Sequence, residues 1–454
     1  MLAFAFIVLG FSKFDNKEAG PESASNHWET PMSILKMTGP LGVAFALSTA
    51  LTSVAWAQDT KTIKIATHYN EGQMAPLTAC FRDYEAKNPG IRIEFQQADY
   101  GDFLQTILTS RVGGTSPDIY NIYSIWAPQL AAAGTLATPP AEIQDWIKSS
   151  YGAGTVGAAT IGGTLWGIPT ELSVYELIYN KKLLAAAGFD APPKTWDELH
   201  DMAAKISKKN DQGVIETAGY VYGPSVSNAV HVFYSQMFAA GVAPFSDDFK
   251  KTNFTSPEAI KILERQAKLF SEGITSTTNT VDDISGGKAA MAIMANWNKA
   301  DFQSAFGAEF DNTIGVAPIP NDGEAAGTML YSFLWAVDST SKVQKESWDL
   351  LKWLDTAQEG KPLSCTGDML NKLGAFSGNL ADLGAMDVKD NFSKPFVDAI
   401  AAGAAKSQPN IWQASENEKT LRGYIEQVWA GTMTATDAMT AADAEVTAVL
   451  AEQP

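Results

Sequence analysis

The sequence predicts an α/β fold. Three observations carry that prediction. Strand-like and helix-like runs alternate from residue 62 onward in the order β-α-β-α-β, the pattern of a mainly parallel sheet with helical crossovers. Breakers such as Asn88-Pro89-Gly90 and Gly113-Gly114 separate the runs. The chain is 45% apolar, ordinary for a globular protein with a sizeable core, and shows no tandem repeat or low-complexity linker. Its 454 residues suggest two or three domains at roughly 150 residues each.

Thr62 to Thr67 alternates and is β-rich, so it reads as a strand. Met74 to Lys87 follows with Leu77, Cys80, Phe81 and Tyr84 on one helical face. Ile91 to Gln96 is a second strand, Asp102 to Val112 a second helix, and Pro117 to Tyr123 a third strand. Two short helices fit between Ala127 and Ser150. Thr164 to Ile168 and Val174 to Asn180 read as two separate strands. Thr195 and Glu198 form a capping box opening a helix from Trp196 to Lys208. Pro257 to Glu272 is an amphipathic helix, Lys288 to Met294 a buried strand, and Ile314 to Ala317 another. Leu330 to Val337 is an apolar strand, followed by helices at Gln344 to Thr356, Thr420 to Ala430 and Ala435 to Leu450.

Composition excludes several functions. Lys and Arg number 33 against 51 Asp and Glu, a formal charge of −18. That argues against nucleic-acid binding, which needs cations for phosphate, and against a polybasic membrane surface. Leu41 to Trp56 is apolar, follows Lys36 and ends in Ala55-Trp56-Ala57, the order of a secretory signal peptide cleaved near Ala57. Residues 1–31 read as a mis-called start, with an N-terminal anchor at residues 2–10 as the rival. The chain from Gln58 onward holds 30 Lys and Arg against 47 Asp and Glu, a charge of −17. Export favours an oxidising compartment, so Cys80 and Cys365 either form the single possible bridge or remain two buried thiols. Two Cys and three scattered His show no metal-ligand spacing.

Catalytic motifs are mostly absent. Gly152-Ala153-Gly154-Thr155-Val156-Gly157 is formally a G-x-G-x-x-G, but a helical stretch precedes it and a strand-like one follows. A phosphate site needs the reverse order, so the segment reads as a flexible surface loop. No P-loop, H-E-x-x-H or G-x-S-x-G occurs. His200 lies inside an amphipathic helix and reads as structural. Trp146, Trp196, Trp348, Trp353 and Trp429 sit in helical patterns and read as packing residues. A glycosidase would need a carboxylate pair, and no pair stands out.

Six segments carry a resemblance. They are Ser116-Pro117-Asp118-Ile119 with Gly134-Thr135-Leu136, Thr164 to Pro169 with Leu177 to Leu183, Gly188 to Leu199, Gly287 to Met291 with Asn296-Trp297, Gln408 to Ile411, and Trp429 to Ala438. In this order they resemble the extracellular solute-binding proteins of ATP-driven (ABC) sugar importers, the class that includes maltose-binding protein. The resemblance spans nearly the whole chain after residue 57. It implies a type II periplasmic binding protein: two discontinuous α/β lobes and a hinge of crossing strands. The lobes would be residues 58–168 plus 325–372, and 175–318 plus 377–454. It further implies a small-molecule carbohydrate as ligand, permease subunits of an ABC importer as partners, a monomer, no cofactor, no metal and no catalysis.

A sugar offers apolar C–H faces and a rim of hydroxyls, so aromatic faces and short polar groups suit it. The resemblance puts Trp297 at the family's aromatic stacking position, flanked by Asn296 and Asn298; a core Trp is the competing reading. Ligand groups in α/β crevices gather after strand C-termini. That rule selects His68, Tyr69, Asn70 and Glu71 after the first strand, and Tyr123, Ser124 and Trp126 after the third. Glu171 and Tyr175 fall at the crossing between lobes, and Tyr331 and Ser332 begin a returning strand. His231 matches an aromatic contact position of the family, and Trp412 follows Pro409 near the expected cleft wall. One family aromatic position falls near Glu418, which cannot stack, so a linear maltodextrin is not implied. The rival ligands are a polyol phosphate, which needs cations, and a polyamine, for which Glu71 and Glu171 remain available.

Overall fold

The computed structural model describes residues 60–323, 327–386 and 388–453. The expected signal peptide, its cleavage point and the alternative starts lie outside the described residues. Among the described residues, no helix is long and apolar enough to cross a membrane.

The first half of the sheet is the parallel one the alternation predicts. Strand β1 (Lys61–Thr67) is followed by helix α1 (Glu71–Lys87), β2 (Ile91–Gln97), α2 (Phe103–Val112) and β3 (Ile119–Tyr123). β1 pairs in parallel with both β2 and β3. Helix α1 starts a turn earlier than its apolar face suggests. Asn70 accepts from the Gln73 N–H, and the Gln73 side chain accepts from the Asn70 N–H, a reciprocal cap.

The remaining long strands are β4 (Ile168–Asn180), β5 (Met291–Ala295), β6 (Ile314–Ala317) and β7 (Thr328–Asp338). The sheet order is β5-β4-β7-β3-β1-β2, with β6 also on β4. All pairings among β3 to β7 in this set are antiparallel. The parallel character therefore stops at β3. β7 brings the chain back through the sheet, so it enters from the opposite end.

β4 replaces the two strands expected at 164–168 and 174–180. Thr164–Leu165 forms only a small hairpin with Thr160–Ile161. β4 itself runs 13 residues. Pro169, Thr170, Glu171 and Ser173 look like an interruption in the sequence, yet all are buried. Ile168 to Val174 pairs with β7, while Tyr175 to Asn180 pairs with β5 and β6. One strand thus belongs to two sheet halves and changes partners between Val174 and Tyr175. A change of partner threatens to orphan backbone groups, which must be satisfied when buried. Here side chains do it. The Val174 N–H donates to Asn296 Oδ1 at 2.8 Å, and Thr328 Oγ1 donates to the Tyr175 carbonyl.

Further corrections concern local elements. The glycine-rich segment is not a loop: Ala153–Ala158 is a short helix with Thr155 and Ala158 buried. Helix α3 (Val226–Ala239) escaped the periodicity reading because it is buried on nearly every face, and an all-round buried helix shows no amphipathic stripe. Trp196, Trp348 and Trp429 are buried core residues, and Trp146 and Trp353 pack against the core at partial exposure. His200 pairs with Glu272 at 2.7 Å on the surface of its helix.

Cys80 and Cys365 form a disulfide, so of the two readings the bridge holds. It ties α1 to helix α4 (Cys365–Leu373) across 285 residues of sequence. Replacing both cysteines by serine should lower unfolding free energy by about 2–5 kcal/mol, measured by denaturant titration. Asn296→Ala should cost about 1–3 kcal/mol by stranding the buried Val174 N–H. Equal stability of this variant and the parent would show that the partner change needs no side-chain support.

Candidate ligand-binding cleft

The ends of β1 and β3, the middle of β4, the start of β7 and helix α3 converge on one cleft. Two adjoining cavities make it up, of about 430 and 400 Å³. Both are lined by Tyr100, Tyr123, Ser227 and His231, which join them. Side chains two apart on a strand share a face. That periodicity sends Glu171, Ser173 and Tyr175 of β4 to one side, beside Tyr331 and Phe333 of β7.

The first cavity is walled by rings. His68 stacks on Phe333 with centroids 4.5 Å apart, and Tyr123 stacks on Phe333 at 5.1 Å. Tyr100 is 46% exposed, although its ring lies within 6.3 Å of His68, Tyr123, Trp126 and Phe333. An exposed aromatic among other rings is a free face for an apolar partner. Trp297, partly buried, lines the same cavity near Ala300 and Asp301.

The polar floor has two parts. Tyr69 donates to Glu171 Oε2 at 2.5 Å, and Ser173 donates to Glu171 Oε1 at 3.0 Å. Burial pushes the Glu171 carboxyl up from its ordinary value, while these two hydroxyls hold it down. The second part is a chain running from β3 into helix α5 (Ala414–Trp429). Tyr123 donates to Gln408 Oε1, and Gln408 Nε2 donates to Glu418 Oε1 at 2.5 Å. Gln408 Nε2 also lies 3.2 Å from His231 Nε2, and His231 Nδ1 lies 3.1 Å from the Tyr175 hydroxyl.

Of the residues selected from the sequence, His68, Tyr69, Tyr123, Glu171, His231, Trp297 and Tyr331 line the first cavity. Trp126 lines the second, with its indole N–H donating to Ser415 at 3.1 Å. Tyr175 stands behind His231. Six others lie outside both linings. Asn70 is spent on the cap of α1 and is exposed. Asn296 is fully buried and bonded to the main chain. Ser332 donates to the Phe333 carbonyl at 3.0 Å. Ser124 is buried in a 3₁₀ turn, and Trp412 packs against the core. Glu71, the other acid after β1, is exposed in the first turn of α1.

Sequence reasoning missed Tyr100, Ser227, Phe333, Gln408 and Glu418. Tyr100 and Phe333 carried no signal beyond being aromatic. Gln408 lay inside a segment carrying the resemblance. Glu418 was noticed only as a departure from the family pattern; it is 4% exposed and faces the cleft.

His68 gives a pH-dependent handle. Burial lowers its imidazole from the ordinary 6.5 to about 4. The unfolded chain then binds more protons between those values, so stability is full above pH 6.5 and falls toward pH 4. Relative to His68→Gln, the parent protein should lose ~3 kcal/mol at most over that window, read from denaturation at pH 7 and pH 4. A constant difference would place His68 in water.

The sequence profile described as Bacterial extracellular solute-binding protein matches residues 70–361. A binding protein of Brucella abortus (strain 2308) is 26% identical over 281 residues, 60% of this chain and 66% of that protein. The alignment therefore spans just under two thirds of that relative. Diacetylchitobiose binding protein DasA of Streptomyces coelicolor is 25% identical over 390 residues, 82% of this chain and 86% of the relative. Among solved structures, the cyclic alpha-maltosyl-1,6-maltose binding protein from Arthrobacter globiformis superposes with a TM-score of 0.71 at 22% identity, covering 86% of this chain and 99% of that one. The sugar-binding protein MalE from Xanthomonas citri gives 0.71 at 20% identity, with 87% and 98% covered. These likenesses establish the two-lobed α/β fold, and with the profile covering most of the chain, the protein belongs to the bacterial extracellular solute-binding protein family.

Proposed function

We propose that this protein captures a sugar or sugar derivative and delivers it to the permease of an ABC importer. The observation that carries the reading is the cleft itself: Tyr100, Tyr123, Phe333 and Trp297 offer ring faces around hydrogen-bonding groups on Tyr69, Glu171, His231 and Glu418. Ring faces cover C–H surfaces of a pyranose, and carboxylates and amides meet its hydroxyls. The relatives support the class, since DasA is a diacetylchitobiose binder and a lactose-binding protein of Rhizobium radiobacter is 25% identical over 282 residues. The protein acts as a receptor, released to the periplasm as a monomer, and not as an enzyme.

Its mechanism is closure of two lobes, residues 58–168 with 325–372 and 175–318 with 377–454. The chain crosses between them near Ile168 to Val174, Pro318 to Met329 and Leu370 to Phe376, and the partner change of β4 at Val174 and Tyr175 is where bending is absorbed. A ligand shifts such an equilibrium only by binding the closed form more tightly than the open one. The closed, loaded form is then the one the permease accepts.

A thermal-shift screen across mono- and disaccharides, sugar acids and polyols tests the class. At a ligand concentration of 100 Kd the stabilisation is about 2.7 kcal/mol. Trp297→Ala should weaken binding of the hit several-fold or more, with the unliganded melting temperature nearly unchanged. A large drop in unliganded stability would instead make Trp297 a core residue. Turnover of an aryl glycoside would favour the glycosidase reading.

A further inference from the structure

The charges around the cleft are unbalanced in a particular way. Two carboxylates, Glu171 and Glu418, are buried at 6% and 4% exposure. Neither has a Lys or Arg within ion-pair distance among the described residues; Glu418 has only His231 Nε2 at 3.4 Å. Asp102 and Asp301 line the outer parts of the two cavities. The cleft has two lysines, and both are already engaged. Lys372 pairs with Asp368 at 2.8 Å, and Lys419 pairs with Glu416 at 2.9 Å. No arginine lines either cavity. Apart from His231 beside Glu418, the groups bonded to the buried acids are neutral: the hydroxyls of Tyr69 and Ser173 and the amide of Gln408.

A buried charge without a counter-charge is costly, and removing water from it by lobe closure raises the cost. A neutral sugar supplies hydroxyl donors but leaves both charges uncompensated. An acidic sugar adds a third like charge. A protonated amine answers the charge, and the Tyr100, Tyr123 and Phe333 rings attract a cation through their faces.

Resting on the carbohydrate reading above, we propose that the ligand is an amino sugar with a free amine, its rings against the aromatic walls and its ammonium charge compensating Glu171 and Glu418.

Calorimetric titration of the purified protein tests this with five probes: the β-1,4-linked glucosamine disaccharide, its N-acetylated counterpart, cellobiose, a digalacturonate and putrescine. The free-amine disaccharide should bind about ten- to a hundredfold tighter than cellobiose, the worth of one charge-assisted hydrogen bond. Glu418→Gln and Glu171→Gln should each collapse that ratio, and so should raising the pH until the amine is neutral. The pH arm needs no variant and so stands if either fails to fold. Equal or tighter binding of cellobiose or the acetylated sugar overturns the amine and leaves the carbohydrate reading standing. Tightest binding of the digalacturonate overturns the charge argument. Binding of putrescine alone, or of none of the sugars, overturns both.

Discussion

One strand serving two sheet halves is the constraint on which the rest of this structure depends. β4 carries the chain from pairing with β7 to pairing with β5 and β6 without a break. At the exchange, the ladder cannot satisfy the main chain by itself, and Asn296 and Thr328 complete it. Because Asn296 immediately precedes Trp297, the same turn that supports the exchange also presents the indole to the cleft. Support and site are therefore coupled through a single pair of neighbouring residues.

The cleft inherits its chemistry from that arrangement. β4 and β7 run side by side, and their alternate residues bring Glu171, Ser173, Tyr175, Tyr331 and Phe333 to a common side. Polar residues in a buried strand would be a defect in an ordinary core. Here Tyr69 reaches Glu171 and His231 reaches Tyr175 from elsewhere in the chain, while Ser173 donates to Glu171 of its own strand. The disulfide steadies this assembly at a distance. It joins α1, whose preceding residues are His68 and Tyr69, to α4, whose last turn carries Lys372 and Leu373 into the cavity lining.

Much of the site was legible before the structure. The rule that α/β crevices open at strand C-termini selected His68, Tyr69, Tyr123 and Trp126, and all four line the cleft. It also selected Asn70 and Ser124, because the rule locates a loop without saying which way each side chain leaves it. Asn296 was chosen for standing beside Trp297, but the two leave the 3₁₀ turn Asn296–Asn298 in different directions, and the main chain took its amide. Glu418 shows the reverse: the helical turn brings it to the cleft face of α5, where Gln408 holds it, and no local pattern announces that meeting.

By itself, the sequence determined the βαβαβ start, the cap at Thr195, the main amphipathic helices and the family, since each depends on spacing within a short window or on matched segments in order. Only the tertiary structure decided that Cys80 meets Cys365, that residues 168–180 form one strand, and that Glu171 and Glu418 are buried with no Lys or Arg paired to them among the described residues. These are long-range facts. A bridge across 285 residues and a strand shared by two sheet halves are settled by which surfaces pack together, and that packing is not written in any local run of residues.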